Sequence, residues 1–266
     1  MYSFEYKKPS SIKEASANFS SSEDGSYLAG GMTLIPTLKQ RLAMPTDLID
    51  LSSISELQTI EVQDNTIIIG SMCSHKQVHE SEEVKNHLPA LSQLACKIGD
   101  PQVRNRGTIG GSIANNDPSA DYPAALLALS AKIQTSERII NADDFFIGLF
   151  ETALNEGEII TNIILPFCKT ASYKKFPNPA SGYAVVGAFV LKDKHRVRVA
   201  ITGAGPNVFR INQMEEKLER DFSEESIKDI KVPSDNLNSD LHATSEYRSN
   251  LINVMVKRAI REIKKL

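Results

Sequence analysis

Apolar positions recur along this chain at two spacings, three to four residues and two residues, and the changes from one to the other mark out helices and strands. Residues 1–53 read as strand, helix, strand, helix, strand. Ser10 or Ser11 can cap a helix holding Ala15 and Ala17, and residues 26–29 form a short strand. Leu34, Leu38 and Leu42 share one face of a second helix that ends before Pro45, and Leu48-Ile49-Asp50-Leu51 returns to strand.

Residues 54–168 open with a hairpin, 59–62 and 66–70, turning at Asp64-Asn65. Ser74 precedes a helix around Val78, and residues 89–98 put Leu91, Leu94, Ala95 and Ile98 on one helical face ahead of a polar loop, 99–107. Residues 124–129 read as a helix or buried apolar segment, 132–135 and 138–141 as paired strands, 145–154 as amphipathic, and 159–165 as a strand closed by Pro166. Residues 169–266 give a loop at Phe176-Pro177-Asn178-Pro179, then a hairpin of 183–191 and 197–202 that turns at 192–195, and two helices. The last helix, 245–265, spaces Leu251, Ile252, Met255, Val256, Ala259, Ile260 and Ile263 so that it is expected to pack on the preceding sheet.

Composition acts mainly by exclusion. A chain of 266 residues exceeds one average domain, and a net charge of -3 with acids and bases intermixed leaves no footprint for nucleic acid or anionic lipid. The first residues lack a basic region followed by an apolar core, and no apolar stretch approaches the roughly 20 residues that span a bilayer, so a cytoplasmic protein that is not integral to a membrane is expected. Cys73, Cys96 and Cys168 are too scattered for a disulfide framework, zinc or an iron–sulphur cluster, and are expected to be buried, inert thiols. Redox chemistry must then come from a bound organic cofactor or a partner chain.

Two glycine pairs carry the candidate chemistry. Leu28-Ala29-Gly30-Gly31-Met32-Thr33-Leu34 and Thr108-Ile109-Gly110-Gly111-Ser112-Ile113 each place the pair where a short apolar strand gives way to a turn. Without a Cβ the backbone can approach a ligand and turn its N–H groups outward, which suits anions. Thr33 is read as opening a helix with free N–H groups, and Thr108 and Ser112 flank the second pair with hydroxyls. Two such turns could grip the two ends of one long phosphate-bearing ligand, as a dinucleotide is. Asn115-Asn116-Asp117-Pro118-Ser119-Ala120-Asp121 reads equally as a sugar-hydroxyl site or as an ordinary capped turn. Gly203-Ala204-Gly205-Pro206-Asn207-Val208 is read as a turn, because Pro206 and Val208 break the dinucleotide pattern. The histidines are scattered; His75 and His79 share helical spacing but lack a third ligand, so a solvated helix face is expected and no metal site. No nucleophile, catalytic base or phosphate-binding lysine loop is found, and no catalytic residue is assigned.

In combination, residues 29–36, 102–112 and 117–121 resemble the FAD-binding medium subunit of molybdenum hydroxylases, as found in carbon monoxide dehydrogenase, aldehyde oxidoreductase and xanthine dehydrogenase relatives. Residues 148–154, 157–160 and 179–187 extend the resemblance over nearly the whole chain. It implies an α+β chain with a vanillyl-oxidase-like (PCMH-type) FAD fold: an N-terminal α/β lobe at 1–53, a second α+β lobe at 54–168, and a C-terminal sheet-and-helix domain at 169–266. FAD would lie between the first two lobes. The carried-over cofactor-binding residues are Ala29, Gly30, Gly31, Met32, Thr33 and Leu34 with Thr108, Ile109, Gly110, Gly111 and Ser112 at the pyrophosphate, mostly through backbone N–H groups. Asn115 stands where the family often has histidine, Asp121 would bind sugar hydroxyls, and Ile98, Ile160, Lys174 and Tyr183 would lie near the flavin or its ribityl chain.

The resemblance also implies a division of labour. A large partner oxidises substrate at a molybdenum-pterin centre, a small partner relays electrons through 2Fe–2S clusters, and this chain accepts them on FAD and delivers them to an external acceptor such as a quinone. A dimer of heterotrimers, peripheral to the inner membrane at most, is the expected assembly. A free-standing flavin oxidase or reductase of the same fold and a non-catalytic phosphate-ligand module are the rival readings; carbon monoxide, an aldehyde and a purine all remain open as the substrate of the assembly.

Overall fold

Three parallel strands, β1 (Glu5–Lys7), β2 (Gly25–Leu28) and β3 (Asp47–Asp50), begin the computed structural model, which describes residues 1–194 and 196–266. They pair in the order β1-β3-β2; α1 (Ile12–Ser20) carries the chain from one edge strand to the other, and α2 (Leu34–Lys39) supplies the crossover between the parallel neighbours β2 and β3. Ser11 caps α1, its hydroxyl accepting from Glu14 N at 3.2 Å. The helix expected to reach Leu42 stops at Lys39: Arg41 adopts φ +60°, and Leu42 beyond it is 74 % exposed. Four-residue spacing does not hold a helix where there is no surface for the last apolar residue to bury against.

The middle of the chain folds as α3 (His75–Glu80), α4 (Glu82–His87), α5 (Pro89–Cys96), α6 (Pro101–Arg106), α7 (Ile109–Asn115), α8 (Tyr122–Leu129) and α9 (Ala142–Phe145) beside an antiparallel sheet. Its strands are β4 (Ile60–Gln63), β5 (Thr66–Gly70), β6 (Lys132–Thr135), β7 (Ile139–Asn141) and β10 (Ile160–Pro166), in the order β4-β5-β10-β6-β7; β8 (Phe146–Gly148) and β9 (Glu151–Thr152) form a separate hairpin. Two expectations change here. The polar loop 99–107 contains α6, started by Asp100, whose Oδ1 accepts from Val103 N at 2.8 Å, and by Pro101 in the first turn. The amphipathic stretch 145–154 is the end of α9 and the β8–β9 hairpin, bent at Phe150 with φ +54°.

The C-terminal sheet runs β11 (Ala171–Pro177), β12 (Ala184–Lys192), β13 (Val197–Thr202), β14 (Phe209–Arg210), backed by α10 (Asn212–Arg220) and α11 (Ser245–Ile263). Phe176 and Pro177, read as loop, close β11, whose register on β12 shifts between them. The expected turn at 192–195 includes His195, which lies outside the described residues; Asp193 N donates to Arg196 O at 3.0 Å across it.

Both faces of this sheet are covered, which is why β12 reads as an unbroken apolar run. Phe189 and Leu191 join the core around α8, while Val186, Ala188 and Val190 join the core with α10 and α11. α8 is apolar on all sides and buried at every residue, so it binds the middle sheet to the C-terminal one. Each fully buried Leu or Ile there contributes about 1.5–3 kcal/mol. Cys73 and Cys168 are buried as expected and burial pushes both thiols up, Cys73 to about 11, but Cys96 at the end of α5 is exposed. Among the described residues no helix is long and apolar enough to cross a membrane.

Candidate functional site

A cleft of about 610 Å³ runs from the C-terminal ends of the parallel strands across α7 to the loop before β12. That volume falls within the usual range of small-molecule and cofactor clefts. Both glycine turns line it.

β2 ends at Leu28 and the chain turns through Gly31 at φ +74°, a conformation that glycine adopts at little cost. The N–H groups of Gly30, Gly31, Met32, Thr33 and Leu34 have no hydrogen-bond acceptor among the described residues, and Thr33, which precedes α2, makes no side-chain cap. Consecutive unspent amides around a left-handed residue form a concave donor cluster for an anion. Gly30 itself is required by packing: a Cβ there would lie 2.0 Å from Arg106 O and 2.7 Å from Gly107 Cα.

The second pair differs from the expectation. Gly110 and Gly111 sit in the first turn of α7 rather than at a strand end, and their amides are engaged. Ile109 N donates to Cys73 O at 3.0 Å, Gly110 N to Ser71 O at 2.8 Å, Gly111 N to Thr108 Oγ1 at 3.0 Å and Ser112 N to Thr108 O at 3.0 Å. These four amides are thus engaged within the protein, the turn is locked onto residues 71–73, and Thr108, Gly110, Gly111 and Ser112 line the cleft there. A Cβ on Gly111 would meet Ala29 Cβ at 3.2 Å, so the two turns stand side by side, not at opposite ends of a ligand.

Of the remaining candidates, Ala29, Ile98, Thr108, Ser112, Asn115, Asp121, Ile160 and Tyr183 line the cleft with the glycines, Met32, Thr33 and Leu34. Ile109 does not; its side chain is fully buried in the core. Lys174 does not either, because alternate residues of a strand face opposite ways: it pairs with Glu262 of α11, and Lys175 turns inward. Lys175 Nζ donates to Asp121 Oδ2 at 2.9 Å, Lys97 O at 2.8 Å and Gly182 O at 2.8 Å. Tyr173 Oη donates to the other Asp121 oxygen. Burial pushes the Asp121 carboxyl up against the pull of Lys175 and Tyr173. Each Asp121 oxygen thus has one donor, and Asp121 lines the cleft wall. Asp117 lines the same stretch; its Oδ1 accepts from Ser119 N at 2.8 Å, its Oδ2 has no partner among the described residues, and burial raises its pKa. Partial burial and the charges of Asp117 and Asp121 raise the Tyr183 phenol as well.

Sequence reasoning missed Glu158, which borders the cleft. Burial disfavours its charge, but Arg138, Asn155 N and Thr135 Oγ1 outweigh that and bring it down to about 2. It also misplaced His75, which is 4 % exposed and lines the cleft rather than a solvated face; burial, then the charge of Arg104, lowers its pKa to about 4. His79 lies half-buried with Nδ1 3.1 Å from Ser92 O.

Comparison with known proteins gives this geometry a context. Residues 2–168 match the family model described as the FAD binding domain in molybdopterin dehydrogenase, and residues 171–263 match the CO dehydrogenase flavoprotein C-terminal domain. The chain belongs to the FAD-binding medium subunits of the molybdenum hydroxylases. Relatives in this family include the carbon monoxide dehydrogenase medium chain of Hydrogenophaga pseudoflava, 34 % identical over 97 % of this chain and 96 % of that one. The glyceraldehyde dehydrogenase medium chain of Sulfolobus acidocaldarius is 34 % identical over 98 % of each chain, and the nicotine 6-hydroxylase medium subunit of Paenarthrobacter nicotinovorans 32 % over 97 % and 96 %. A solved structure of the Hydrogenophaga pseudoflava carbon monoxide dehydrogenase superposes with a TM-score of 0.89 at 33 % identity, covering 99 % of this chain and 98 % of that one. The fold is thus the PCMH-type FAD fold with its C-terminal domain, the cofactor of this medium subunit is FAD, and the chain is an oxidoreductase flavoprotein subunit.

Proposed function

We propose that this chain is the electron-transfer subunit of a heterotrimeric molybdenum hydroxylase of the carbon monoxide dehydrogenase type. When bound, FAD supplies the redox chemistry, accepting electrons from 2Fe–2S clusters of a small partner and passing them to an external acceptor such as a quinone. A large molybdenum-pterin partner oxidises the substrate, and two heterotrimers form the assembly. Relatives of similar identity are named for carbon monoxide, glyceraldehyde and nicotine, so the choice of substrate rests with the large partner.

The residues of this chain bind and orient. The amides of residues 30–34 hold the diphosphate, where negative charge meets donors that no acceptor among the described residues has taken. Ser112, Asn115 and Asp117 face the ribityl and ribose hydroxyls, and Ile98, Ile160 and Tyr183 border the ring systems. Lys175 clamps Asp121, the Lys97 carbonyl and Gly182, which keeps that end of the cleft in shape when ligand is absent.

The observation that carries this reading is the run of unspent amides in a cleft of about 610 Å³ within a chain that matches the family over residues 2–168 and 171–263. Affinity purification of the tagged chain from its own host tests it. The expected result is co-purification of two further chains with stoichiometric FAD, molybdenum and iron, with flavin absorbance bleached by substrate only in the complex. A chain that purifies alone with FAD and oxidises an aldehyde unaided contradicts it.

A further inference from the structure

We propose that Arg248, a buried arginine of the C-terminal domain, is a positioning residue for Tyr183 at the cleft. The inference rests on the reading of the cleft as the FAD site, with Tyr183 bordering the ring systems.

Arg248 lies in the first turn of α11, is 3 % exposed and does not line the cleft. Its Nη1 donates to Val185 O at 2.6 Å and to Gly203 O at 2.9 Å, and its Nη2 donates to Asp240 Oδ2 at 2.6 Å. One guanidinium thus joins the start of β12 to the residue that follows β13. The sequence Gly203-Ala204-Gly205 makes this junction possible. Gly203 has φ +82°, and a Cβ on it would lie 2.4 Å from Ala184 O, so the two backbones meet only where that side chain is absent.

The same junction seats the cleft wall. Gly203 N donates to Pro118 O at 2.8 Å, Ala184 N to Ser119 O at 3.2 Å, and Thr202 Oγ1 to Ala120 O at 2.6 Å. Asp117, Ala120 and Asp121 line the cleft beside these contacts. Tyr183 immediately precedes β12, and its phenol lies near the charges of Asp117 and Asp121 with the Thr33 side chain as a hydrogen-bond partner. The chain is gripped on both sides of this residue: Lys175 Nζ donates to Gly182 O, and Arg248 donates to Val185 O.

A cation in this place serves position more than stability. A buried ion pair often contributes no more than apolar side chains of the same size, because desolvation offsets the attraction. Arg248 Nε is also buried with no partner among the described residues. What a guanidinium does and an apolar side chain does not is hold two carbonyl oxygens at a fixed separation with its planar fork. The two carbonyls held here belong to the segments that carry Tyr183 and seat residues 118–120, so loss of the fork frees the Tyr183 ring from its place on the cleft.

The test is a double-mutant cycle between Arg248→Met and Tyr183→Leu in the full-length chain, purified from its own host with whichever chains accompany it. The readouts are the FAD dissociation constant after flavin removal, the emission of bound flavin, and thermal unfolding. Each single substitution is expected to weaken FAD by about tenfold, and the double by no more than about twofold beyond the weaker-binding single, because the second change removes a contact already lost. Flavin emission is expected to rise in both singles and no further in the double, since a displaced phenol no longer quenches the ring. Arg248→Lys keeps the charge without the fork and is expected to lose about threefold. Losses that multiply to about a hundredfold in the double overturn the proposal. FAD affinity within twofold of wild type in either single overturns it as well, and in Arg248→Met a lowered melting temperature alongside would mark a merely structural arginine. If Arg248→Met does not fold, Arg248→Lys takes its place in the cycle, and multiplied losses again overturn the proposal. A wild-type protein that binds no FAD overturns the reading of the cleft instead.

Discussion

At the first glycine turn the amides of residues 30–34 have no acceptor among the described residues, whereas at the second the amides of residues 109–112 are taken by Cys73, Ser71 and Thr108. The two turns carry the same Gly-Gly pair and lie against each other, yet the reason for glycine differs within each pair. Gly30 and Gly110 are small because another backbone passes within van der Waals contact; Gly31 is glycine because φ is +74°. A glycine pair therefore signals close backbone approach, and only the hydrogen-bond census of the folded chain tells whether the approaching backbone belongs to a ligand or to the protein.

The largest effect that separates the turns is on folding. Gly110→Val drives its Cβ to 2.5 Å from Ser71 Cβ and 2.6 Å from Ser71 O, and urea unfolding is expected to show a loss of about 3 kcal/mol or more, if folded protein is recovered at all. Acid should loosen the second turn next. His75 holds a pKa of about 4 in the folded chain against 6.5 for the ordinary group. The unfolded chain takes up the proton first, so stability present above pH 6.5 is lost as the pH falls toward about 4, by about 3 kcal/mol at most. Hydrogen exchange at residues 107–112 is expected to accelerate over that window and to lose this dependence in His75→Phe. Arg104 and Tyr122 face the same ring; a window unmoved by His75→Phe would assign the effect elsewhere.

Glu158 sharpens the contrast from the far wall. Its carboxylate receives Arg138, Asn155 N and Thr135 Oγ1, so Glu158→Gln is expected to cost about 1–3 kcal/mol in chemical unfolding while leaving FAD affinity within threefold. Its stabilising effect should fade as the pH falls from about 4.5 toward about 2, because the folded pKa lies below the unfolded one. The smallest stability changes come from a matched pair. Gly31→Ala strains a left-handed residue by about 1–2 kcal/mol, and Gly111→Ala, in a helical position with contacts of 3.0 and 3.2 Å, changes stability by about 1 kcal/mol or less.

Much of the fold was legible because the signals were local. The stripe from Leu251 to Ile263 is long enough that only one helical face satisfies it, and the β4–β5 hairpin followed from its Asp64-Asn65 turn, with Asp64 at φ +52°. α6 was hidden although Asp100-Pro101 is a helix start, because polar composition suggested a loop. β11 was hidden by Pro177 and Pro179, and its register decides that Lys175, not Lys174, reaches Asp121. In the site, the glycines and the neighbourhood of Asn115 to Asp121 could be read from composition. The spent amides could not, since their acceptors at residues 71 and 73 lie far away in sequence and only folding brings them to Gly110 and Ile109.

Titration calorimetry of FAD into the flavin-free full-length chain, with Gly31→Ala and Gly111→Ala side by side, tests the central claim that the amides of residues 30–34 hold the diphosphate. The account predicts about tenfold weaker binding for Gly31→Ala and binding within threefold of wild type for Gly111→Ala. The reverse order, or equal losses at both, would contradict it.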